Sequence, residues 1–108
     1  MIVNNLGRVS VPHPGTPVPL TANPAITASK VFVQAIPGLT GQTYFGSTTM
    51  TKATLAGVTR VLAPNPAGGL SENFFLESQD GRNSIQLAEY AIDANVANEG
   101  LLVTYWTE

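Results

Sequence analysis

Short alternating runs of apolar and polar residues, each stopped by glycine, proline, asparagine or aspartate, constrain this chain more than any other feature. Lys30-Val31-Phe32-Val33-Gln34-Ala35-Ile36 alternates in this way and stops at Pro37-Gly38. Alternation of that kind belongs to a strand, whose successive side chains point to opposite faces. Thr43-Tyr44-Phe45-Gly46 predicts a second strand, reached through Gly38-Leu39-Thr40-Gly41, and the two are expected to pair as a hairpin. Ser47 to Gly57 reads as a Ser/Thr/Ala-rich connection. Val58-Thr59-Arg60-Val61-Leu62-Ala63 alternates again and stops at Pro64-Asn65-Pro66, before the flexible turn Ala67-Gly68-Gly69. Ser71 to Glu77 predicts a strand through Phe74, Phe75 and Leu76, and Asp80-Gly81 a tight turn. Ser84 to Leu87 and Tyr90 to Ala94 predict two short strands. After the turn Asn98-Glu99-Gly100, the run Leu101 to Trp106 is the strongest strand of all. A short helix competes over Leu87 to Ala97, where Leu87, Tyr90, Ala91 and Ala94 have partial helical spacing. About seven or eight short strands at this spacing predict an all-β fold, an antiparallel β-sandwich.

The prolines divide the chain. Pro12, Pro14, Pro17, Pro19 and Pro24 all precede residue 25. Proline removes a ladder donor and fixes φ, so this stretch suits neither a central strand nor a helix. Two readings suit it: an extended arm draped over a neighbouring subunit, or an edge strand and loop of the same domain. The division expected is an extended Pro-rich N-terminal arm, 1–24, followed by a β-sandwich domain, 25–108. One face of each strand should build the core, from Val31, Val33, Ala35, Tyr44, Val61, Phe74, Leu76, Leu87, Ile92, Leu101, Val103 and Tyr105. Phe32, Phe45, Phe75 and Trp106 then fall on the opposite faces. Together with Val11, Pro12, Pro17, Val18 and Leu20 of the arm, they form the candidate interface.

Composition bears on partners. Only 11% of the residues are charged and the net charge is −2, against a usual charged fraction of roughly 25%. A surface poor in lysine and glutamate is easier to desolvate, which suits an oligomer or an assembly. The five basic residues are scattered, with no two adjacent. Nucleic-acid binding and a polybasic membrane patch both need clustered charge, so neither partner is expected. The N-terminal Ile2-Val3-Asn4-Asn5-Leu6-Gly7-Arg8 is not a charged region followed by an apolar one, so no signal peptide is expected. No apolar run approaches membrane-spanning length.

The residues that carry chemistry are few. Cysteine is absent, which excludes disulfides, thiolate metal sites and cysteine nucleophiles. His13 is the only histidine and sits between two prolines, with no orienting partner in view. The acids are Glu72, Glu77, Asp80, Glu89, Asp93, Glu99 and Glu108, mostly beside turns. The sequence leaves a facing pair such as Glu77 and Glu89 open, but a sandwich of this size offers little cleft. Asp93-Ala94-Asn95-Val96-Ala97-Asn98-Glu99 carries oxygen side chains at alternate positions, as a calcium loop does. It departs at Ala97, in place of a ligand, and at Asn98, in place of the required glycine. No phosphate-binding loop or nucleophile elbow is present. No catalytic residue, cofactor or metal is therefore expected, and the chain reads as a non-enzyme.

The order of motifs resembles a known group. Gly15-Thr16-Pro17-Val18-Pro19-Leu20, Ser29-Lys30-Val31-Phe32-Val33-Gln34-Ala35 and Gly41-Gln42-Thr43-Tyr44-Phe45-Gly46 come first. Val61-Leu62-Ala63-Pro64, Leu87 to Asp93, and Gly100-Leu101-Leu102-Val103-Thr104-Tyr105 follow. This resembles the small virion proteins of tailed bacteriophages, encoded among head and tail genes. The sequence departs from their pattern at Asn65, where glycine is usual, and at Phe45, where valine is. The resemblance implies a structural protein made in the host cytoplasm and built into the virion. There it would bind the major capsid protein or other virion proteins as a capsid decoration, or cement, protein; for such a virion protein the homo-oligomer expected is a trimer or dimer. A receptor- or glycan-binding accessory on the head or tail is the alternative it implies.

Overall fold

The computed structural model describes residues 2–65 and 67–108. Met1, in the expected arm, and Pro66, one of the expected strand stops, lie outside the described residues. In chain order the strands are β1 (Ile2–Val11), β2 (Val18–Pro19), β3 (Thr27–Ala28), β4 (Lys30–Ala35) and β5 (Thr43–Thr51). They continue with β6 (Ala56–Leu62), β7 (Asn73–Glu77), β8 (Ile85–Gln86), β9 (Tyr90–Ala94) and β10 (Glu99–Thr107). The helix that competed over Leu87 to Ala97 is reduced to one 3-10 turn, Leu87–Glu89, and β9 follows directly.

Two four-stranded antiparallel sheets face each other, as the period-two runs predict. One has the order β1-β10-β4-β7 and the other β2-β9-β5-β6, while β3 and β8 form a separate two-stranded ladder. Among the described residues only β5 and β6 are both consecutive in sequence and hydrogen-bonded to each other. The hairpin expected between β4 and β5 is therefore not one. The segment 36–42 carries the chain from one sheet to the other, too long a link for a tight hairpin turn. Glu99, itself buried, holds that crossing: its carboxylate accepts from the Gly41 amide at 2.8 Å and from the Thr40 amide and hydroxyl, each at 3.3 Å.

The core lies between the sheets. Val31, Val33, Leu101 and Val103 point inward from one, and Phe45, Leu62 and Ile92 from the other, all essentially solvent-free. Phe74, Leu76 and Tyr105 pack against this cluster while half-exposed. Tyr44 and Val61 were expected here too, but they lie on the other side of the second sheet. There they form a small cluster with Met50, Val58 and Ala91.

In the N-terminal quarter the structure takes the second of the two readings, edge strands and a loop of the same domain. The described part of residues 1–24 is not a separate arm. β1 pairs along its length with β10, from Ile2 opposite Thr107 to Val11 opposite Glu99. β2 pairs with β9. Both are edge strands, the position that proline-flanked segments favour, so the boundary at 24/25 does not separate two units. The loop between them crosses the outside of the second sheet, where the Gly15 amide donates to Asp93 Oδ1 at 3.0 Å.

Candidate functional site: an aromatic sheet face

The candidate interface residues separate into two groups. Val11, Leu20 and Phe45 belong to the core, with relative exposures of 0%, 5% and 0%. As interface residues they are corrected, because a side chain already packed inside its own chain has no surface left to offer. Val11 is buried because β1 is a full strand of the sandwich. Phe45 is buried because β5 faces apolar neighbours on both sides, so its alternation carries no inside-outside signal. Val18 is half-buried and packs against the core, Pro17 is half-buried, and Pro12 is exposed in the loop.

The remaining three, Phe32, Phe75 and Trp106, come together on the outer face of the first sheet. Register places them there. Val3, Trp106, Lys30 and Glu77 form one row across β1, β10, β4 and β7. Asn5, Thr104, Phe32 and Phe75 form the next, and Arg8, Leu102, Gln34 and Asn73 the third. Directly opposed side chains on antiparallel strands share a face and touch. The Phe32 and Phe75 ring centroids are 4.6 Å apart, and Phe75 and Trp106 are 6.2 Å apart, all tilted. Phe75 is 46% exposed, and Val3, at the end of the first row, 59%.

Lys30 was not singled out in the sequence, although its alternation puts it on the same face as Phe32. Its ammonium lies 4.5 Å from the Phe75 centroid and 5.5 Å from that of Trp106. At 3.4 Å it also meets Glu77 Oε1. The negative faces of the rings attract the cation, and such a contact contributes about 0.5–1 kcal/mol at an exposed site. The ion pair, with Glu77 well exposed, adds little. Thr104 Oγ1 donates to Asn5 Oδ1 at 2.8 Å, fixing the polar side of the strip.

Five of the acids, Glu72, Glu77, Asp80, Asp93 and Glu99, are each engaged by separate partners. Glu72 Oε1 accepts from the Ala63 amide at 2.7 Å. Asp80 is fully exposed, and the Arg82 amide and Ser84 hydroxyl hold its carboxyl below its ordinary value. Of the three oxygen side chains that resembled a calcium loop, Asp93 accepts from Gly15 and Ala94, Asn95 bonds the Tyr44 hydroxyl, and Glu99 holds Thr40 and Gly41. Their partners lie in three different segments. Among the described residues, no group of three or more His, Cys, Asp or Glu is placed to hold a metal ion. His13 is exposed in the β1–β2 loop, where its carbonyl accepts from Thr16. An open hollow of about 170 Å³ beside the aromatic strip is lined by Ser29, Lys30, Glu77, Ser78, Gly81 and Glu108. Glu89 does not line it, so the hollow does not bring Glu77 and Glu89 together. No helix among the described residues is long and apolar enough to cross a membrane.

The face thus carries a strip of three tilted rings, flanked by the Lys30–Glu77 pair and by the polar side chains of Asn5 and Thr104. No protein family, curated protein or solved structure matches the chain.

Proposed function

We propose that this chain is a structural, non-enzymatic virion protein of a tailed bacteriophage, which docks on the shell of major capsid protein as a decoration protein. The observation that carries the reading is the strip of Phe32, Phe75 and Trp106 on the outer face of the first sheet, where Phe75 is exposed and Phe32 and Trp106 are half-buried. Aromatic residues left outside a core, gathered on one sheet face, mark a surface that another protein covers. The motif order in the sequence supports placing that partner in a phage particle. The mechanism is burial: apolar area removed from water contributes about 25 cal/mol per Å² before the costs of association. A subunit seated across neighbouring capsid proteins thereby holds them together.

Co-sedimentation with purified shells tests the reading. The wild-type chain should pellet with shells, and the F75S/W106S double variant should stay in the supernatant while keeping its strand content. A wild-type chain that ignores shells but binds host-cell glycans replaces the reading with the receptor- or glycan-binding accessory. Trp106 beside the polar side chains of Asn5 and Thr104 is the observation that favours that second reading.

A further inference from the structure

A sandwich of two open sheets leaves four edges, and each exposes unpaired backbone amides and carbonyls that invite another strand. Three of the four carry a defence. β2 is two residues long, contains Pro19 and follows Pro17. β7 is five residues long and ends on Glu77, paired to Lys30. On β6, Arg60 stands opposite Phe45 and so projects to the inner side, its guanidinium 5.5 Å from the Phe74 ring. An inward-pointing charge on an edge strand opposes the approach of a second strand. β1 is different. It has ten residues, no proline and no acid, and Arg8 is its only charge. Its register break falls between Asn5 and Gly7, so Ile2–Asn5 is an uncharged run without a bulge. Ile2 and Val3 on that run are 62% and 59% exposed.

We infer that the Ile2–Asn5 edge of β1 is a self-association surface, pairing antiparallel with the same edge of a second copy of this chain. The free backbone groups call for an extended strand. A second copy supplies one without repulsion, since neither run bears charge. The side-chain amide of Asn4 both donates and accepts, so it complements itself when Asn4 meets Asn4 of the second copy. Antiparallel pairing about a two-fold axis perpendicular to the sheet closes at two chains. Centred on Asn4, it sets Val3 opposite Asn5 of the second copy, both on the outer face. The two four-stranded sheets then become one of eight strands. Both aromatic strips lie on the same side of it, extended by Val3 from each chain. Resting on the docking function proposed above, this arrangement gives each dimer two contacts with a shell, so the second engages at the high effective concentration of a linked site.

Sedimentation equilibrium in the absence of particles tests the dimer separately from its function. The wild-type chain should be a dimer. The V3K/N5K variant, which places like charges opposite each other across the two-fold, should weaken it by about tenfold or more. The V3K/N5E variant, which places opposite charges there, should restore it. A monomeric wild-type chain overturns the inference. So does a trimer, which a self-paired edge cannot form, and so does a V3K/N5K variant that dimerises as well as wild type. A dimer that fails to bind shells overturns the docking reading alone.

Discussion

Phe45 and Tyr90 lie with their rings parallel, 2° between planes and 5.6 Å between centroids, on adjacent strands of the second sheet. Phe45 also meets Phe74 of the first sheet at 6.2 Å, so one side chain joins both layers. Truncating it leaves a void that the packed neighbours fill only in part. Phe45→Ala should therefore destabilise the fold by about 3–5 kcal/mol, read from chemical denaturation. The exposed Phe75→Ala should cost far less.

That contrast could not be drawn from the sequence. Alternation correctly assigned Lys30–Ala35, where Val31, Val33 and Ala35 are buried and Lys30, Phe32 and Gln34 are not. On β5 it failed, because Thr43, Tyr44, Phe45 and Gly46 are all buried and no polar face remains to set the phase. The strand β1 was hidden for a different reason. It reads together with the proline-rich stretch that follows it as an extended arm, and it is held by β10, nearly the whole chain away. Phe32, Phe75 and Trp106 were each legible as facing away from the core. Their meeting depends on the β10-β4-β7 register, which no local pattern encodes.

Gly100 on β10 leaves no room for a side chain: a Cβ there would fall on the carbonyl oxygen of Val9 across the β1–β10 ladder. Backbone cannot swing aside as a long side chain can. Gly100→Ala should cost about 1–3 kcal/mol, as overpacking does. It should also raise hydrogen exchange along β1 before the rest of the sheet.

Asp93 is 1% exposed, and its Oδ1 accepts from the Gly15 amide at 3.0 Å and from its neighbour Ala94 at 2.8 Å. Removing a buried acceptor leaves its donors unpaired, at about 1–3 kcal/mol. Asp93→Ala should show a loss of that size in denaturation and faster exchange of the Gly15 amide. Asp93→Asn, which keeps an oxygen in place, should lose less.

Asp80 should titrate below the ordinary carboxylate value of 3.8, because the Arg82 amide and Ser84 hydroxyl bond its charged form. A carboxyl depressed on folding adds stability that is present above its unfolded pKa and lost as pH falls through the folded one. The 80–84 turn should therefore loosen only below about pH 4. Carboxyl NMR titration measures this, and Arg82→Pro, which removes the donor, should return Asp80 toward 3.8.

The central place of β10 also sets a timetable. β1 and β4 each bond to it, and they do not bond to each other. A ribosome releases β1 long before it makes residues 99–107, so the first sheet cannot assemble until that last stretch emerges. Pairing across such a span is slow, since the loop must close before any contact rewards it. Until then the strip of Phe32, Phe75 and Trp106 does not exist as a surface. The nascent chain thus cannot present the complete strip before synthesis has passed β10.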